Sequence, residues 1–295
     1  MSAASDDDAA ALFAAVYAAL DDDGPRAVLA DWLQERGDPR GDFIALQLAA
    51  PPSRDAARRM QALQRAHATH WLGRLASLVP PHEVGWERGF PARARISVKR
   101  PSEARRLVEL PELATLRALR LGRLGEVAGA ELTRRVLSSP ALRRVRELED
   151  VPAALVPTLV AAAPPFSLAR LGLVDADPAE VERWLAASAL GRGLTALLVD
   201  SAALGAWFAL LGRLPAEAGL RTFVARTRPW EATLTRADGG AWTTLTLAID
   251  GWGESERAAA EALDALPPAS LREVELDAPW RTPEIAQAIA RVTGA

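Results

Sequence analysis

The sequence predicts an α/β fold: a parallel sheet backed by helices, repeated as a solenoid and preceded by an all-α cap module. Three observations predict it. Leu116, Leu142, Leu168, Leu194 and Leu220 follow one another at intervals of 26 residues, and Leu245 and Leu271 continue the series at 25 and 26. A fixed period of this size marks stacked structural repeats, not a compact enzyme domain. Each anchor opens an apolar pattern at i, i+3 and i+5, as in Leu116, Leu119, Leu121 and in Leu168, Leu171, Leu173. Behind each pattern lies a helical segment of about ten residues.

Residues 1–80 lack the repeat and read as helical. Asp8–Leu20 forms a first helix, its acidic start suiting the helix dipole. Asp23, Gly24 and Pro25 supply a cap and a first-turn proline for a second helix, Pro25–Arg36. Gly37 to Gly41 is a turn, followed by helices over Asp42–Ala50 and Arg54–Val79.

Residues 81–295 carry about eight strand–helix units. The pattern recurs in Leu194, Leu197, Val199, in Leu220, Phe223, Ala225 and in Leu271, Val274, Leu276. Its last two apolar positions alternate with other residues and share one face of a strand. Helices are expected over Ala130–Leu137, Pro178–Ala187, Ala203–Leu211 and Ser255–Leu266. One unit is out of pattern: Glu147, with Leu148 beside it, follows Leu142 and Val145, which reads as a bulge or shifted register. Another has no helix. Glu231–Arg236 alternates, Ala237 to Gly240 is a hairpin turn, and Trp242–Ile249 alternates again, giving a β-hairpin near 230–249. It either adjusts the geometry of the array or offers a contact point.

From about Glu87 onward these units resemble the leucine-rich repeat, with its LxxLxL core. The asparagine usual in that family is Leu124, Ala176, Ala202 and Arg228 here, and the chain contains no asparagine. Other groups must close the turns. The stretch Leu20–Leu48 is similar to the bacterial repeat-companion domain. Asp22, Arg26, Leu29, the run Ala30 to Leu33, the run Glu35 to Asp38, Arg40, Gly41, Phe43, Leu46 and Gln47 carry the match. Trp71 and the run Trp86 to Pro91 also look like that family. The resemblance implies a module ahead of leucine-rich-type repeats and assigns no catalytic residues. The first repeat of a solenoid needs a cap. The module either serves as that cap or recognises a separate partner.

At 295 residues the chain has room for one large domain or two, and its net charge of −3 implies no general attraction to nucleic acid or membrane. The absence of cysteine rules out disulfides and thiolate metal sites and favours a reducing compartment. No apolar run approaches the ~20 residues that span a bilayer, and the opening residues lack the apolar core of a signal peptide. A cytoplasmic protein is expected.

Nothing assembles into catalytic machinery. Arg26, Asp31, Glu35, Asp38 and Arg40 read as ion pairs and caps around one turn. Arg40, Gly41 and Asp42 spell an adhesion tripeptide inside that turn, without consequence. His67 and His70 are spaced to share a helix face, but zinc needs three or four ligands, His82 is the only other histidine and no cysteine helps. No cofactor or metal site is expected. Trp32, Trp71, Trp184 and Trp207 fit helical cores, whereas Trp230, Trp252 and Trp280 fall in loops and are expected to pack beneath them.

The strand residues flanking the apolar positions face away from the core. The first rungs supply Arg95, Arg120, Arg144, Arg146 and Arg170, and the last supplies Glu273, Glu275 and Asp277. The face thus grades from basic to acidic, which would orient a complementary partner. The sequence therefore predicts a non-catalytic protein–protein interaction scaffold whose partner presents an acidic surface or segment. The competing reading is an enzyme, or an enzyme-regulatory subunit, with a site at the junction of cap and solenoid near Asp31 or His70.

Overall fold

The computed structural model describes residues 3–49, 52–162, 166–201, 203–214, 219–227, 230–236, 240–249, 254–278 and 282–294. The protein is mixed α/β, with twelve α-helices and ten strands among these residues. It forms two compact units: Met1–Val145 with Pro164–Phe166, and Arg146–Ala163 with Ser167–Ala295. Residue 80, where the sequence pattern changes, lies inside the first unit. No helix among the described residues is long and apolar enough to cross a membrane.

The first unit opens with four helices. Helix α1 spans Ala3–Ala18 and α2 Gly24–Glu35. Asp23 has helical backbone angles and makes no capping bond. Asp22 takes that role, its Oδ1 accepting the Gly24 N–H at 2.8 Å. Helix α3, Pro39–Leu48, starts before the expected Asp42 because Asp38 caps it, accepting the Arg40 N–H at 2.8 Å. Helix α4, Arg54–Trp71, stops short of Val79. Gly73 takes a positive φ of 52° there, and a short 3-10 turn follows.

These helices pack on the first strands. Strands β1 (Gly85–Glu87) and β2 (Phe90–Arg95) form an antiparallel hairpin. Its two turn residues, Arg88 and Gly89, both have positive φ, as a twist-matched two-residue turn requires. Phe90 joins Val16, Leu29, Leu33 and Ile44 in one buried cluster. Phe43 of α3, Trp71 of α4 and Trp86 of β1 form a second, aromatic cluster with ring centroids 4.9–5.8 Å apart. Gln47 pins the hairpin further: its Nε2 donates to the Trp86 carbonyl and its Oε1 accepts from the Gly89 N–H. Leu29, Leu33, Phe43, Gln47 and Trp71 thus seat the helices on the hairpin. Helix α5 (Pro101–Leu107) leads to β3 (Ala118–Arg120), which runs parallel to β2 with Arg95 opposite Arg120. Leu116, Leu119 and Leu121 are buried, as the pattern requires. Helix α6 (Leu124–Leu137) closes the repeat, broken at Gly129.

The second unit holds β4 (Glu147–Pro152), α7 (Val156–Ala162), β5 (Arg170–Val174), α8 (Pro178–Ala187), α9 (Ala189–Gly193), β6 (Ala196–Asp200), α10 (Leu204–Arg213) and β7 (Thr222–Thr227). Strands β4 to β7 are parallel neighbours in chain order. Leu171, Leu173, Leu197, Val199, Phe223 and Ala225 point into the core and are buried. Burying a leucine or phenylalanine side chain stabilises by about 1.5–3 kcal/mol, so the periodic positions hold the unit together. The irregular unit is a bulge: the β4–β5 register shifts between Leu148 and Val151, and Asp150 takes a positive φ.

The expected hairpin is present as β8 (Trp230–Arg236) and β9 (Trp242–Ile249); the tip of its turn lies outside the described residues. Among the described residues neither of its strands is a free edge. Strand β8 pairs antiparallel with both β7 and β9, and β9 pairs parallel with β10 (Glu273–Asp277). Trp230 is not in a loop: it opens β8 and is buried. Trp252 and Trp280 lie outside the described residues. Helices α11 (Glu254–Leu263) and α12 (Pro283–Thr293) flank β10 in sequence.

Candidate functional site

In the first unit the sheet face turned from the core presents Arg93, Arg95 and Arg120, all exposed. Arg95 and Arg120 are direct cross-strand partners. Like charges placed opposite one another disfavour the pairing, and Glu83 offsets part of this through an ion pair with Arg95 at 3.2 Å.

Arg144 and Arg146 do not extend this face. The bulge makes Leu148 and Val151 the inward residues of β4, so its outward rung is Glu147 and Glu149, with Glu147 opposite Arg170. Arg144 lies in a turn and binds Asp21. Arg146 precedes the strand and donates to the Ser167 carbonyl at 3.0 Å. Arg170 does lie on the face, in an ion pair with Glu149 at 3.6 Å. The smooth basic-to-acidic grade is therefore replaced by an acidic rung ahead of Arg170. Glu273, Glu275 and Asp277 sit as expected on the outward side of β10 and are exposed. Glu275 accepts from Thr246 Oγ1 at 3.2 Å.

A second basic feature emerges in the first unit. Arg26, Arg88, Arg117 and Arg144 line one pocket with Glu87, Phe90 and Thr115. The cavity measures about 10 Å³, room for about one water. Arg26 is 4% exposed, lies 5.5 Å from the Phe90 ring centroid, and keeps its Nε without a partner. Burial pushes its pKa below the ordinary arginine value; Arg88 lowers it further, Asp23 opposes, and Arg144 and Arg117 add to the depression. Arg40 stacks over both Phe13 and Phe90, and burial depresses its pKa too. Arg26 and Arg40 are thus buried cations on aromatic faces, not the turn ion pairs expected. The adhesion-like tripeptide cannot present Arg40, which is buried.

The loop between α1 and α2 lies across this pocket. Arg144 donates to both carboxylate oxygens of Asp21, reaching Oδ2 at 2.6 Å. Arg88 Nε meets Asp23 at 2.7 Å, and the Arg88 Nη atoms donate to the carbonyls of Leu20 and Asp21 at 3.3 and 3.2 Å. Arg26 donates to the Asp22 carbonyl at 2.8 Å. Glu87 holds Arg117 at 3.4 Å. The Arg144 bonds draw the Asp21 carboxyl down to about 2 and raise the pKa of Arg144. Sequence reading missed Arg26, Arg88 and Arg117 here, because no period links them; the run Asp21 to Asp23 was the available signal.

Asp31 and His70, where an enzyme site was sought, are both exposed and belong to separate helices. Among the described residues no group of histidine and carboxylate side chains could hold a metal ion. In the second unit a cavity of about 270 Å³ lies against Leu211, Trp242 and Leu266, with Arg236 stacked 4.9 Å from the Trp242 ring centroid. The chemistry these sites offer is recognition of anions and of apolar groups. No protein-family model matches the chain, and neither a curated protein nor a solved structure matches it.

Proposed function

We propose that this protein is a non-catalytic scaffold that binds another protein, built as a leucine-rich-repeat-like solenoid behind a repeat-companion-like cap. The regular burial of the leucine anchors and the parallel strand–helix units support that architecture. The cysteine-free composition supports work in the cytoplasm. The observation that carries the binding reading is the placement of Arg95 directly opposite Arg120. Exposed cations gathered on one sheet face are the surface that an acidic partner would complement. The partner is a protein with an acidic surface or segment, and no cofactor enters. Steering by exposed charges acts on the association rate and is screened by salt over about 8–10 Å. The test is capture of the partner from the native host, followed by association kinetics across salt concentrations. Arg95→Glu with Arg120→Glu should slow association and flatten its salt dependence. An unchanged rate and slope would rule this face out.

A further inference from the structure

We infer that the pocket formed by Arg26, Arg88, Arg117 and Arg144 over Phe90 is a recognition site for an acidic peptide segment, which the Asp21–Asp23 loop occupies until displaced. The inference rests on the reading that the partner is acidic, but it uses a different set of residues. The loop shows what the site accepts. Two carboxylates two residues apart, Asp21 and Asp23, meet Arg144 and Arg88. Three further bonds go to main-chain carbonyls, from Arg88 to Leu20 and Asp21 and from Arg26 to Asp22. Main-chain recognition selects a peptide over a free phosphate or a nucleic acid strand. Bidentate arginine–carboxylate geometry supplies the side-chain specificity.

The cation behind the loop is built in. Arg26 is 4% exposed and reaches the pocket with its Nε unpartnered, a state that costs free energy unless an acceptor arrives. Burial chiefly depresses the Arg26 pKa, and the neighbouring Arg88 depresses it further. The loop itself is lightly held. The Asp21 side chain is 82% exposed, against 18% for Arg144. Exposed ion pairs contribute little and weaken with salt, so a longer acidic segment with more contacts can replace it.

The experiment uses the full chain and a fluorescein-labelled peptide, Gly-Leu-Asp-Asp-Asp-Gly, followed by fluorescence anisotropy. Asp21→Asn with Asp23→Asn removes the loop's two ion pairs while leaving its main-chain bonds, and should tighten binding about tenfold over the unaltered chain, the scale set by losing two competing ion pairs. Adding Arg144→Gln should abolish the gain. A peptide with Asn in place of Asp should not bind. Equal affinity with and without the loop carboxylates, equal binding of the Asn peptide, or retention of the gain without Arg144 would overturn the inference. So would preferential binding of inorganic phosphate or of a single-stranded RNA.

Should the loop variant fail to fold, the unaltered chain still decides. Saturating peptide should speed hydrogen exchange at the Gly24 amide, whose proton Asp22 now holds; unchanged exchange would refute displacement. The chain carrying Arg95→Glu and Arg120→Glu separates the two readings. It should bind peptide as the unaltered chain does, and a loss there would move the peptide to the sheet face.

Discussion

Ile44 of α3 fills the space where a Cβ on Gly89 would stand, its Cγ1 and Cβ both inside normal contact distance. Gly89 also has a φ of +82°. Steric room and backbone conformation both demand glycine at the point where the helical module meets the first hairpin. Gly89→Ala should therefore destabilise by about 2–5 kcal/mol, combining left-handed strain with overpacking. Gly37, with φ +69° and nothing within 4 Å of where a methyl would stand, faces strain alone. Gly37→Ala should cost about 1 kcal/mol. Urea denaturation of both variants checks the contrast, and similar midpoints would refute it.

Leu171 and Leu197 are fully buried neighbours on β5 and β6. Leu171→Ala and Leu197→Ala should each cost about 2–5 kcal/mol. Arg170, one residue away on the opposite face, shares only a surface ion pair with Glu149. Arg170→Ala should cost about 1 kcal/mol or less. Thermal melts that reversed this order would invert the assignment of the two faces.

Removing residues 1–80 should leave a chain that aggregates or binds the hydrophobic dye ANS. Phe90 and Trp86 would lose the helices that cover them, and exposed apolar surface of that kind drives association. A soluble 81–295 fragment with a single cooperative melt would show that the strands fold without their helices.

The Asp21–Arg144 contact should fail in acid. The folded Asp21 carboxyl titrates at about 2, below its ordinary value of 3.8, so it contributes stability above pH ~4. That contribution declines as the pH falls through the interval down to about 2. The Arg144 hydrogen bond is the chief cause of this shift, and the positive charges of Arg144, Arg117 and Arg88 add to it. NMR titration of the Asp21 carboxyl checks this. A midpoint near 3.8 would mean that the ion pair does not form in solution.

The leucine period was legible because burial at a fixed interval leaves a fixed interval in the chain. Leu171, Leu197 and Phe223 lie side by side on adjacent strands, where the spacing placed them. Strand β4 was less legible. The sequence showed that something shifted near Glu147, but Leu148 and Val145 both fit the core, and it is the shifted β4–β5 register that makes Leu148 and Val151 the inward strand residues. That choice removed Arg144 and Arg146 from the sheet face. The arginine pocket was illegible for another reason. Arg26, Arg88, Arg117 and Arg144 come from four separate segments, and stacking on Phe90 makes Arg26, which read as a surface charge, an interior one.

The β7–β8–β9 stretch carries a rule of parity. Each antiparallel step reverses chain direction, and two steps restore it, so β9 can pair parallel with β10 as though the hairpin were absent. The rows survive as well: Thr222, Thr235, Thr244 and Glu273 stand in one line across four strands. A sheet of this kind can lengthen by two strands without disturbing the units beyond them, whereas a single added strand would leave every later unit pointing the wrong way. Growth by hairpins offers such an array a route to new surface that requires no new helix and no change of period downstream.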